Sequence, residues 1–382
     1  MSWPMVKLGD VAPSRPLKNP KIEDAERVWQ LNLDMVEANS GQVIEKCYQS
    51  LDKAGSSTHW FDANHVLYSK LRPYLNKVVT PDEQGLATTE LVPLLPDPKR
   101  LDRYFLAYYL RSSEFVQWIS EQVAGAKMPR VSMDLFWNHE IPLPPLAEQK
   151  RIAAILDKAD AIRRKRQQAI QLADDFLRAV FLEMFGDPVT NPKGWEVKSF
   201  SELGKWASGG TPSRNITEYF CGNIDWYSAG ELNTRYLSGS LEKITQDAID
   251  NSATKLFPAG SMLIGMYDTA AFKISILNND SCCNQACANV IPNESVDIEW
   301  LYSYLSYSKE HYLKARRGVR QKNLNLGMIK EFELPIPPKD LQQRFAALAK
   351  SVNRNLNSAS QFSDVCNSLF GSISEKAFSG QL

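Results

Sequence analysis

The stretch IPLPPLAEQKRIAAI, which begins at Ile141, is written a second time as LPIPPKDLQQRFAAL, which begins at Leu334. The two copies align without a gap at a constant offset of 193 residues. The identical matches include Pro142 with Pro335, Pro144 with Pro337, Pro145 with Pro338, Gln149 with Gln342 and Arg151 with Arg344. Because the chain has 382 residues, the second copy lies half a chain after the first. The pattern indicates an internal repeat of two halves.

The length of the chain favours two globular domains and an additional extended part. A single hydrophobic core stops growing at about 250–300 residues, and a typical domain has about 100–150. No stretch approaches the ~20 uncharged apolar residues that a membrane span needs. The N-terminal MSWPMVKLGD also lacks the apolar core of a signal peptide. We therefore expect a cytoplasmic protein with reduced cysteines.

Charge argues against a chain that attracts DNA over its whole surface, and the cysteine spacing argues against a metal site. The chain has 44 Lys and Arg against 44 Asp and Glu, so any DNA-binding surface must be local. The six cysteines are densest at Cys282, Cys283 and Cys287. Cys282 and Cys283 are adjacent, and no Cys-x-x-Cys pair or nearby histidine completes four metal ligands. Free thiols, buried or half-buried, are the favoured interpretation, and a metal site is the alternative.

Each half passes through the same series of patterns. WPMVKLGDV is matched by WEVKSFSEL, and HVLYSKLRPYLNKVV is matched by SMLIGMYDTAAFKIS, which sets Lys77 opposite Lys273. The second pair predicts a strand, a turn and a strand. A helical pattern follows in each half, and then a basic loop, GAKMPRVS or GVRQKNLN. The sequence therefore predicts an α+β fold with two mixed α/β domains, residues 1–145 and 188–338, related by a pseudo-twofold repeat.

After each proline cluster the pattern changes to a long polar helix, predicted over residues 146–187 and 339–382. Pro144 and Pro145 fix the start of the first helix, and Glu148 lies where the helix dipole favours an acid. Gly-Asp-Pro ends this helix. It would contain about 39 residues and be roughly 58 Å long. A rod of this length cannot bury an apolar stripe alone.

The apolar stripe has the same heptad phase in both helices. Its residues are Ile152, Ile155, Ile162, Phe176 and Val180 in the first helix, and Phe345, Leu348, Val352, Asn355, Phe362 and Leu369 in the second. We expect the helices to pack as an antiparallel coiled coil with a domain at each end. Arg166 and Asn355 are polar stripe positions of the kind that fix register. The alternative is that each helix packs on its own domain.

The sequence carries no recognisable catalytic motif. It has neither a Gly-x-x-x-x-Gly-Lys-Ser/Thr phosphate loop nor a Gly-x-Ser-x-Gly elbow. Its four histidines are scattered without metal-ligand spacing. LPPL and IPPK resemble the Asn-Pro-Pro-aromatic loop of adenine methyltransferases only in their prolines. We expect no catalytic residue, no metal site and no cofactor in this chain.

Interleaved cations, amides and aromatic side chains point instead to DNA recognition, because they can neutralise phosphates and contact base edges. The candidates are Lys70, Arg72, Tyr74, Lys77, Lys127, Arg130, Lys273, Arg316, Arg317, Arg320, Lys322 and Asn323. A charge run is more often a solvated face. Lys127 and Arg130, however, lie at the same point of the repeat as Arg320 and Asn323. In both halves a glycine introduces this loop, which favours a binding role.

The motif SGGTPSRN in the second half has two interpretations of equal weight. Gly-Gly and Thr-Pro-Ser both mark turns. The same residues could instead bring backbone amides and hydroxyl groups to a phosphate. The candidate contacts are Ser208, Gly209, Gly210, Thr211, Ser213 and Arg214.

Over essentially its full length the chain resembles the specificity subunit of type I restriction-modification systems. The resemblance is carried by SGGTPSRNITEYFCGNIDWYSAGEL, VLYSKLRPYLNKV, IPLPPLAEQKRIAAILDKADAIRRK and KAFSGQL. It implies that each domain is a target-recognition domain for one part of a split double-stranded DNA sequence. It also implies that the helices act as a spacer and as docking sites for two modification subunits, which use S-adenosylmethionine to methylate adenine. A translocating restriction subunit joins them for cleavage.

One departure from the family pattern is that the first half offers APSRPLKNP in place of Gly-Gly-Thr-Pro. The two domains also differ strongly, which implies two different half-sites and an asymmetric target. A self-contained restriction-methylation enzyme would need methyltransferase and nuclease motifs, which the sequence lacks. A coiled-coil adaptor without a DNA role would use the same helices, so DNA binding distinguishes that alternative.

Overall fold

The computed structural model of the chain describes residues 3–25, 27–124, 128–316 and 323–381, with the side chains of residues 124 and 357–370 left out. The chain divides into two units. The first consists of residues 1–167 and 360–382, and the second of residues 168–359. Each unit therefore contains the beginning of one long helix and the end of the other.

The elements of the first half are short strands and helices followed by one long helix. The strands are β1 Met5–Lys7, β2 Val28–Leu31, β3 Cys47–Gln49, β4 Thr58–Phe61, β5 Val66–Ser69, β6 Val78–Val79, β7 Gly85–Thr88, β8 Leu91–Leu94, β9 Val123–Ala124, β10 Arg130–Val131 and β11 Glu140–Pro142. The helices are α1 Leu8–Val11, α2 Arg103–Arg111, α3 Ser113–Glu121, α4 Met133–Asn138 and α5 Leu146–Phe185.

The second half repeats this series. Its strands are β12 Glu196–Ser199, β13 Gly204–Ser208, β14 Ile224–Tyr227, β15 Tyr236–Leu237, β16 Glu242–Ile244, β17 Met262–Gly265, β18 Ile274–Leu277, β19 Cys282–Cys283, β20 Cys287–Pro292 and β21 Glu333–Ile336. Its helices are α6 Gln246–Asp250, α7 Ile298–Leu313, α8 Leu326–Lys330 and α9 Lys339–Ser379.

Each unit is built on small β-sheets. In the first half the described strands form a four-stranded sheet in the order β3-β2-β7-β4 and a three-stranded sheet in the order β6-β5-β8. In the second half they form a five-stranded sheet, β13-β20-β17-β18-β15, and a three-stranded sheet, β16-β14-β19. The fold class is the predicted one, two mixed α/β units with two long helices.

The repeat is visible in strand register. The first strand of each half pairs antiparallel with the strand that leads into the long helix. In the first half Met5 lies opposite Pro142, and in the second half Val197 lies opposite Pro335. Both pairs occupy the same point of the duplicated motif. In each half, the opening strand and the strand of the proline motif thus form a two-stranded antiparallel sheet.

The duplicated glutamine explains much of the duplicated motif. Gln149 is buried on α5, where its amide group donates to the carbonyl oxygens of Pro144 and Arg100 at 2.7 and 2.8 Å. Its Oε1 accepts from the Asp102 backbone N–H at 2.8 Å. Asp102 is also the N-cap of α2, because its carboxylate accepts from two amides of the first turn. One side chain therefore joins the start of the long helix to the start of a domain helix.

Gln342 makes the same contacts in the second half. Its amide group donates to the carbonyl oxygens of Pro337 and Ser295 at 2.9 and 3.1 Å, and its Oε1 accepts from the Asp297 N–H at 2.8 Å. Asp297 caps α7 as Asp102 caps α2. We call this arrangement the glutamine clamp. Each half thus fixes its domain to its long helix with a fully buried, fully bonded carboxamide.

Both ends of the long helices enter domain cores. In the first unit Ile152 and Leu156 of α5 and Phe378 of α9 join one hydrophobic cluster, in which Phe378 contacts Phe105 of α2. In the second unit Phe181 of α5 contacts Phe345 of α9, with ring centroids 5.4 Å apart. Each unit combines the beginning of one long helix with the end of the other, as an antiparallel pair does. Helix–helix and helix–domain packing therefore occur together.

The predicted stripe needs correction at two positions of α5. Ile162 and Phe176 expose 59% and 48% of their surface, respectively, whereas Leu177 and Phe181 are buried. Near the end of α5 the packed face lies one residue after the predicted stripe. Leu177, Phe181 and Phe185, rather than Phe176, pack in the core of the second unit.

The other stripe residues differ in burial. Ile152 and Phe345 are buried, Ile155, Val180, Leu348 and Val352 are half-buried, and Asn355 is exposed. The side chains of Phe362 and Leu369 lie outside the described residues.

Candidate nucleic-acid interface

The clearest candidate surface is a turn that occurs once in each half. We call residues 71–77 the first turn and residues 267–273 the second turn. Each contains a short 3-10 helix, Pro73–Leu75 or Asp268–Ala270, between two strands. Each also has two left-handed residues at matched positions, Arg72 and Asn76 with φ near 50° and Asp268 and Phe272 with φ of 48° and 57°. Because β-carbons disfavour this conformation, the surrounding structure must hold both turns in shape.

A lysine holds the end of each turn. The Lys77 ammonium donates to the Leu33 carbonyl oxygen at 2.7 Å. The Lys273 ammonium donates to Asn233 Oδ1 at 2.7 Å and to the Gly230 carbonyl oxygen at 3.4 Å. Leu33 and Gly230 lie in the 3-10 helices that follow β2 and β14. The structure therefore uses these two lysines to brace a neighbouring loop.

The two predicted basic loops hold the other end of each turn. The Arg72 N–H donates to the Pro129 carbonyl oxygen at 2.8 Å. At the matched place, the Asp268 N–H donates to Asn323 Oδ1 at 2.9 Å. Asn323 is thus placed as a support for the turn. Lys127, Arg317, Arg320 and Lys322 lie outside the described residues.

Three further candidate cations, Lys70, Arg130 and Arg316, differ in how they are held. Arg130 is exposed and pairs with Glu90 at 2.9 Å. Lys70 is half-buried, and its backbone joins Glu90 and Val131. Arg316 is half-buried and donates through Nε to the Leu313 carbonyl oxygen at 3.0 Å. Arg130 alone among these three keeps a largely solvent-exposed side chain.

The tips of the two turns carry different exposed side chains. The first turn exposes Arg72 and Tyr74, the latter with 51% of its surface accessible. The second turn exposes Tyr267, Asp268 and Thr269. None of these three residues is among the DNA contacts that the sequence predicts. Extending the match of Lys77 with Lys273 backwards through the turn at the same offset would have found them.

The glycines of SGGTPSRN are buried and serve as packing positions. The Gly209 and Gly210 N–H groups donate to the carbonyl oxygens of Cys287 and Cys283 at 3.1 and 3.0 Å. A β-carbon on Gly209 would collide with the carbonyl oxygens of Cys283 and Asn284. The same holds at Gly210, where the backbone of Ala253 lies too close. These amides are committed within the fold, which favours the turn interpretation over the phosphate interpretation.

The rest of this motif is partly committed as well. Ser208 ends β13, the Thr211 hydroxyl donates to Gln285, and Ser213 is exposed. Arg214 donates to Glu242 at 2.8 Å and lies over the Phe220 ring at 4.4 Å from its centroid. The Glu242 carboxylate raises the pKa of Arg214. This guanidinium is held in one place but keeps half of its surface in solvent.

The three clustered cysteines are buried beneath this motif. Burial raises the pKa of Cys282 to about 12, and a hydrogen bond with Cys287 together with burial raises the pKa of Cys283. Among the described residues no group of three or more His, Cys, Asp and Glu side chains is arranged to hold a metal ion. In the same part of the chain no helix is long and apolar enough to span a membrane. These thiols are packing residues of the second half.

The family model described as "Type I restriction modification DNA specificity domain" matches the chain twice, over residues 2–172 and 192–361. The specificity subunit of the type I restriction enzyme EcoR124I/EcoR124II of Escherichia coli is 28% identical over 288 residues, covering 71% of this chain and 68% of that protein. The MjaIX specificity subunit of Methanocaldococcus jannaschii is 33% identical over 163 residues, covering 41% of this chain and 37% of that protein.

A solved structure has the same fold. The type I restriction-modification S subunit from M. genitalium superposes with a TM-score of 0.66 and 15% identity, covering 99% of this chain and 96% of that one. The two matches of the family model coincide with the two halves that share the turn, the clamp and the strand register. The chain belongs to the specificity subunits of type I restriction-modification systems, which are non-catalytic DNA-recognition components.

Proposed function

We propose that this subunit reads a bipartite, asymmetric duplex target, with one half-site for each half of the chain. The observation that carries the proposal is the pair of turns. They share backbone conformation and supports, but their tips expose Arg72 and Tyr74 in one half and Tyr267, Asp268 and Thr269 in the other. A common frame with different exposed side chains is what reading two different sequences requires.

The chemistry of the tips suggests how the half-sites differ. An arginine such as Arg72 can make two hydrogen bonds to the O6 and N7 atoms of guanine. A carboxylate such as Asp268 can accept from the cytosine N4 amine, and a threonine hydroxyl can bond to several bases. Arg130 and Arg214 are held by carboxylates and partly exposed, so they suit phosphate contacts that fix the position of the duplex.

The long helices would serve the assembly. We propose that they dock two modification subunits, which bind S-adenosylmethionine and methylate adenine, and through them the restriction subunits. The chain itself supplies recognition and no chemical step. The exposed Ile162, Leu172 and Phe176 on α5 give such subunits apolar contact positions.

The test begins with methylome sequencing of a host that carries this subunit with its modification subunits, which identifies the target. Arg72→Ala and Asp268→Ala are then compared by electrophoretic shift and by methylation mapping. Each substitution should cost about 1–3 kcal/mol of binding free energy for the lost base contact. Each should also relax one half-site only, and the two affected half-sites should differ. Thr58→Ala, on β4 and outside both turn segments, is the control.

Two outcomes would contradict the proposal. Unchanged motifs in both variants would mean that the turns do not read bases. Absence of any sequence-specific shift by the wild-type complex would favour a coiled-coil adaptor without a DNA role.

A further inference from the structure

The two most exposed large apolar side chains among the described residues occupy the same point of the repeat. Ile44 exposes 67% of its surface, and Leu241 exposes 88%. They are 197 residues apart, as are Leu33 and Gly230, whose carbonyl oxygens accept from the turn lysines. The chain reads Ile-Glu-Lys from residue 44 and Leu-Glu-Lys from residue 241. The exposed apolar residue is therefore a repeated feature of the chain.

Both residues lead into an edge strand. Ile44 comes three residues before β3, and Leu241 directly precedes β16. β3 and β16 each lie at the edge of their sheet and pair antiparallel with β2 and β14. The 3-10 helices to which the turn lysines donate, Leu33–Met35 and Ala229–Glu231, follow β2 and β14. The two apolar residues thus have matched places in the fold as well as in the sequence.

A hydrogen bond fixes each residue to its 3-10 helix. The Ile44 N–H donates to the Met35 carbonyl oxygen at 2.8 Å. The Leu241 N–H donates to Glu231 Oε1 at 2.8 Å, and the other oxygen of this carboxylate accepts from Ser228. A backbone carbonyl group in one half and a side chain in the other therefore hold the same position. The support differs between the halves, whereas the exposed apolar side chain is present in both.

These residues belong to the loops that brace the turns. The lysine of each turn donates to the same 3-10 helix that holds the apolar residue. In the first half, Asn39 lies between this helix and Ile44, and its N–H donates to the Leu75 carbonyl oxygen of the first turn at 3.0 Å. The loop beside each turn thus carries the apolar side chain, which places it next to the duplex that the turn would contact.

The surroundings of both side chains are polar. The exposed residues next to them in the sequence are Gln42 and Glu45 in the first half and Ser238, Gly239, Glu242 and Lys243 in the second. A protein partner buries about 800 Å² on each side around an apolar centre, which one side chain among polar neighbours does not supply. A base stack, in contrast, accepts a single Leu, Ile, Phe or Met side chain between two base pairs. The isolation of each residue therefore favours DNA over a protein.

We propose that Ile44 and Leu241 are apolar wedges that insert between adjacent base pairs, one beside each half-site. This inference rests on the proposed function and adds an unstacking contact to the base contacts of the turns. Unstacking a base step has a cost, which is smallest at flexible pyrimidine–purine steps such as TA and CA. The wedges would thus add a sequence preference at positions where no side chain bonds to a base.

The experiment uses the subunit purified with its modification subunits and a duplex that contains the target found by methylome sequencing. 2-Aminopurine, whose fluorescence rises when the base is unstacked, replaces bases one at a time beside each half-site. The wild-type complex should raise the fluorescence at one step beside each half-site. Ile44→Ser should abolish the rise at one half-site only, and Leu241→Ser at the other. Ile22→Ser and Leu256→Ser, at exposed apolar residues of the same two units, are the matched controls and should change neither signal.

A second measurement removes a base at the same step. Because an abasic nucleotide lowers the cost of unstacking, it should tighten binding of the wild-type complex by about tenfold or more. The serine variant of that half should lose this gain. Ile44→Leu and Leu241→Met keep an apolar side chain and should retain both effects. Methyltransferases flip their target base, so a fluorescence rise at the methylated adenine itself should persist in every variant.

The outcomes separate the wedges from the alternatives. Unchanged fluorescence in both serine variants, or an equal loss in the controls, would show that these side chains do not enter the stack. Loss of the modification subunits from the serine variants, with Ile44→Leu and Leu241→Met retaining them, would assign the two residues to a protein partner. If the wild-type complex has no target preference, the proposed function is wrong, and the wedges fail with it. A clear target preference without unstacking beside either half-site would overturn the wedges alone.

Discussion

The two halves of this chain are alike where they hold the backbone and different where they face solvent. The glutamine clamp has the same three hydrogen bonds in both halves, from Gln149 and from Gln342. At the tips of the turns, no matched position carries the same exposed side chain in both halves. Positions that set geometry tolerate little change because a buried polar group must keep its partners. Positions at the tips can vary more freely because their side chains are exposed to solvent.

The same comparison extends to buried ion pairs. The second half joins Arg235 to Glu299 at 2.9 Å, with both side chains largely buried. Tyr236 also donates to Glu299 at 2.9 Å, and burial raises the pKa of Tyr236 to about 12. Here one carboxylate is matched to one arginine and a tyrosine. In the first half the Asp160 carboxylate faces three arginines, Arg111, Arg163 and Arg164, whereas the Arg235–Glu299 pair is balanced, with one charge against one.

The largest expected effect is at this balanced pair. Glu299→Ala should lower the free energy of unfolding by about 3–5 kcal/mol, because it leaves the Arg235 guanidinium buried without its partner. Urea denaturation of the complex measures this. Glu242→Ala, which removes the exposed partner of Arg214, is the matched control and should cost about 0–1 kcal/mol. Equal effects at the two sites would show that burial does not separate these pairs.

The clamp should come next, with equal effects in the two halves. Gln149→Ala or Gln342→Ala leaves one N–H and two carbonyl groups without the partner that the buried carboxamide supplies. We expect a loss of about 2–4 kcal/mol in the free energy of unfolding for each. Thermal denaturation of both variants checks this, with Gln171→Ala on the exposed face of α5 as the control. A large loss of stability for one variant and none for the other would show that the two clamps are not equivalent.

The smallest effect should be at the lysines that brace the turns. Lys77→Met and Lys273→Met keep most of the side-chain volume but remove a charged hydrogen bond to a neighbouring loop. Each should cost about 1–2 kcal/mol of stability. Hydrogen exchange should be faster in the turn of the altered half only. If exchange is unchanged and DNA affinity falls with the salt slope, the lysines contact phosphate rather than brace the fold.

The sequence predicted the features that depend on order along the chain. The repeat, the α+β class and the opposition of Lys77 to Lys273 follow from aligned patterns and from helix-start signals. The duplicated proline motif predicted where each long helix begins. These features are local or are written twice, so a second copy confirms the reading of the first.

What the sequence missed depends on contacts between distant residues. Arg111 and Asp160 are 49 positions apart, and no pattern marks them as neighbours. The amides of Gly209 and Gly210 looked free because their acceptors, Cys287 and Cys283, lie on later strands, β20 and β19. The heptad pattern predicted Ile162 and Phe176 to be buried because it considers helix–helix packing only. In the structure Leu177 and Phe181 pack in the domain core of the second unit instead. Lysines that brace a turn have the same letters as lysines that bind DNA.

The division of the chain into units has a consequence for the order of folding. The first unit needs residues from the end of the chain, since Phe378 packs on Phe105 and Tyr109 in its core. During synthesis the ribosome produces these residues after the whole of the second unit. The first unit must therefore wait with an apolar face open while the second completes its continuous stretch from 168 to 359. Closing so long a loop is slow and leaves a nascent chain prone to association. The time at which the first unit can fold, as well as its stability, thus depends on the last helical turns of α9.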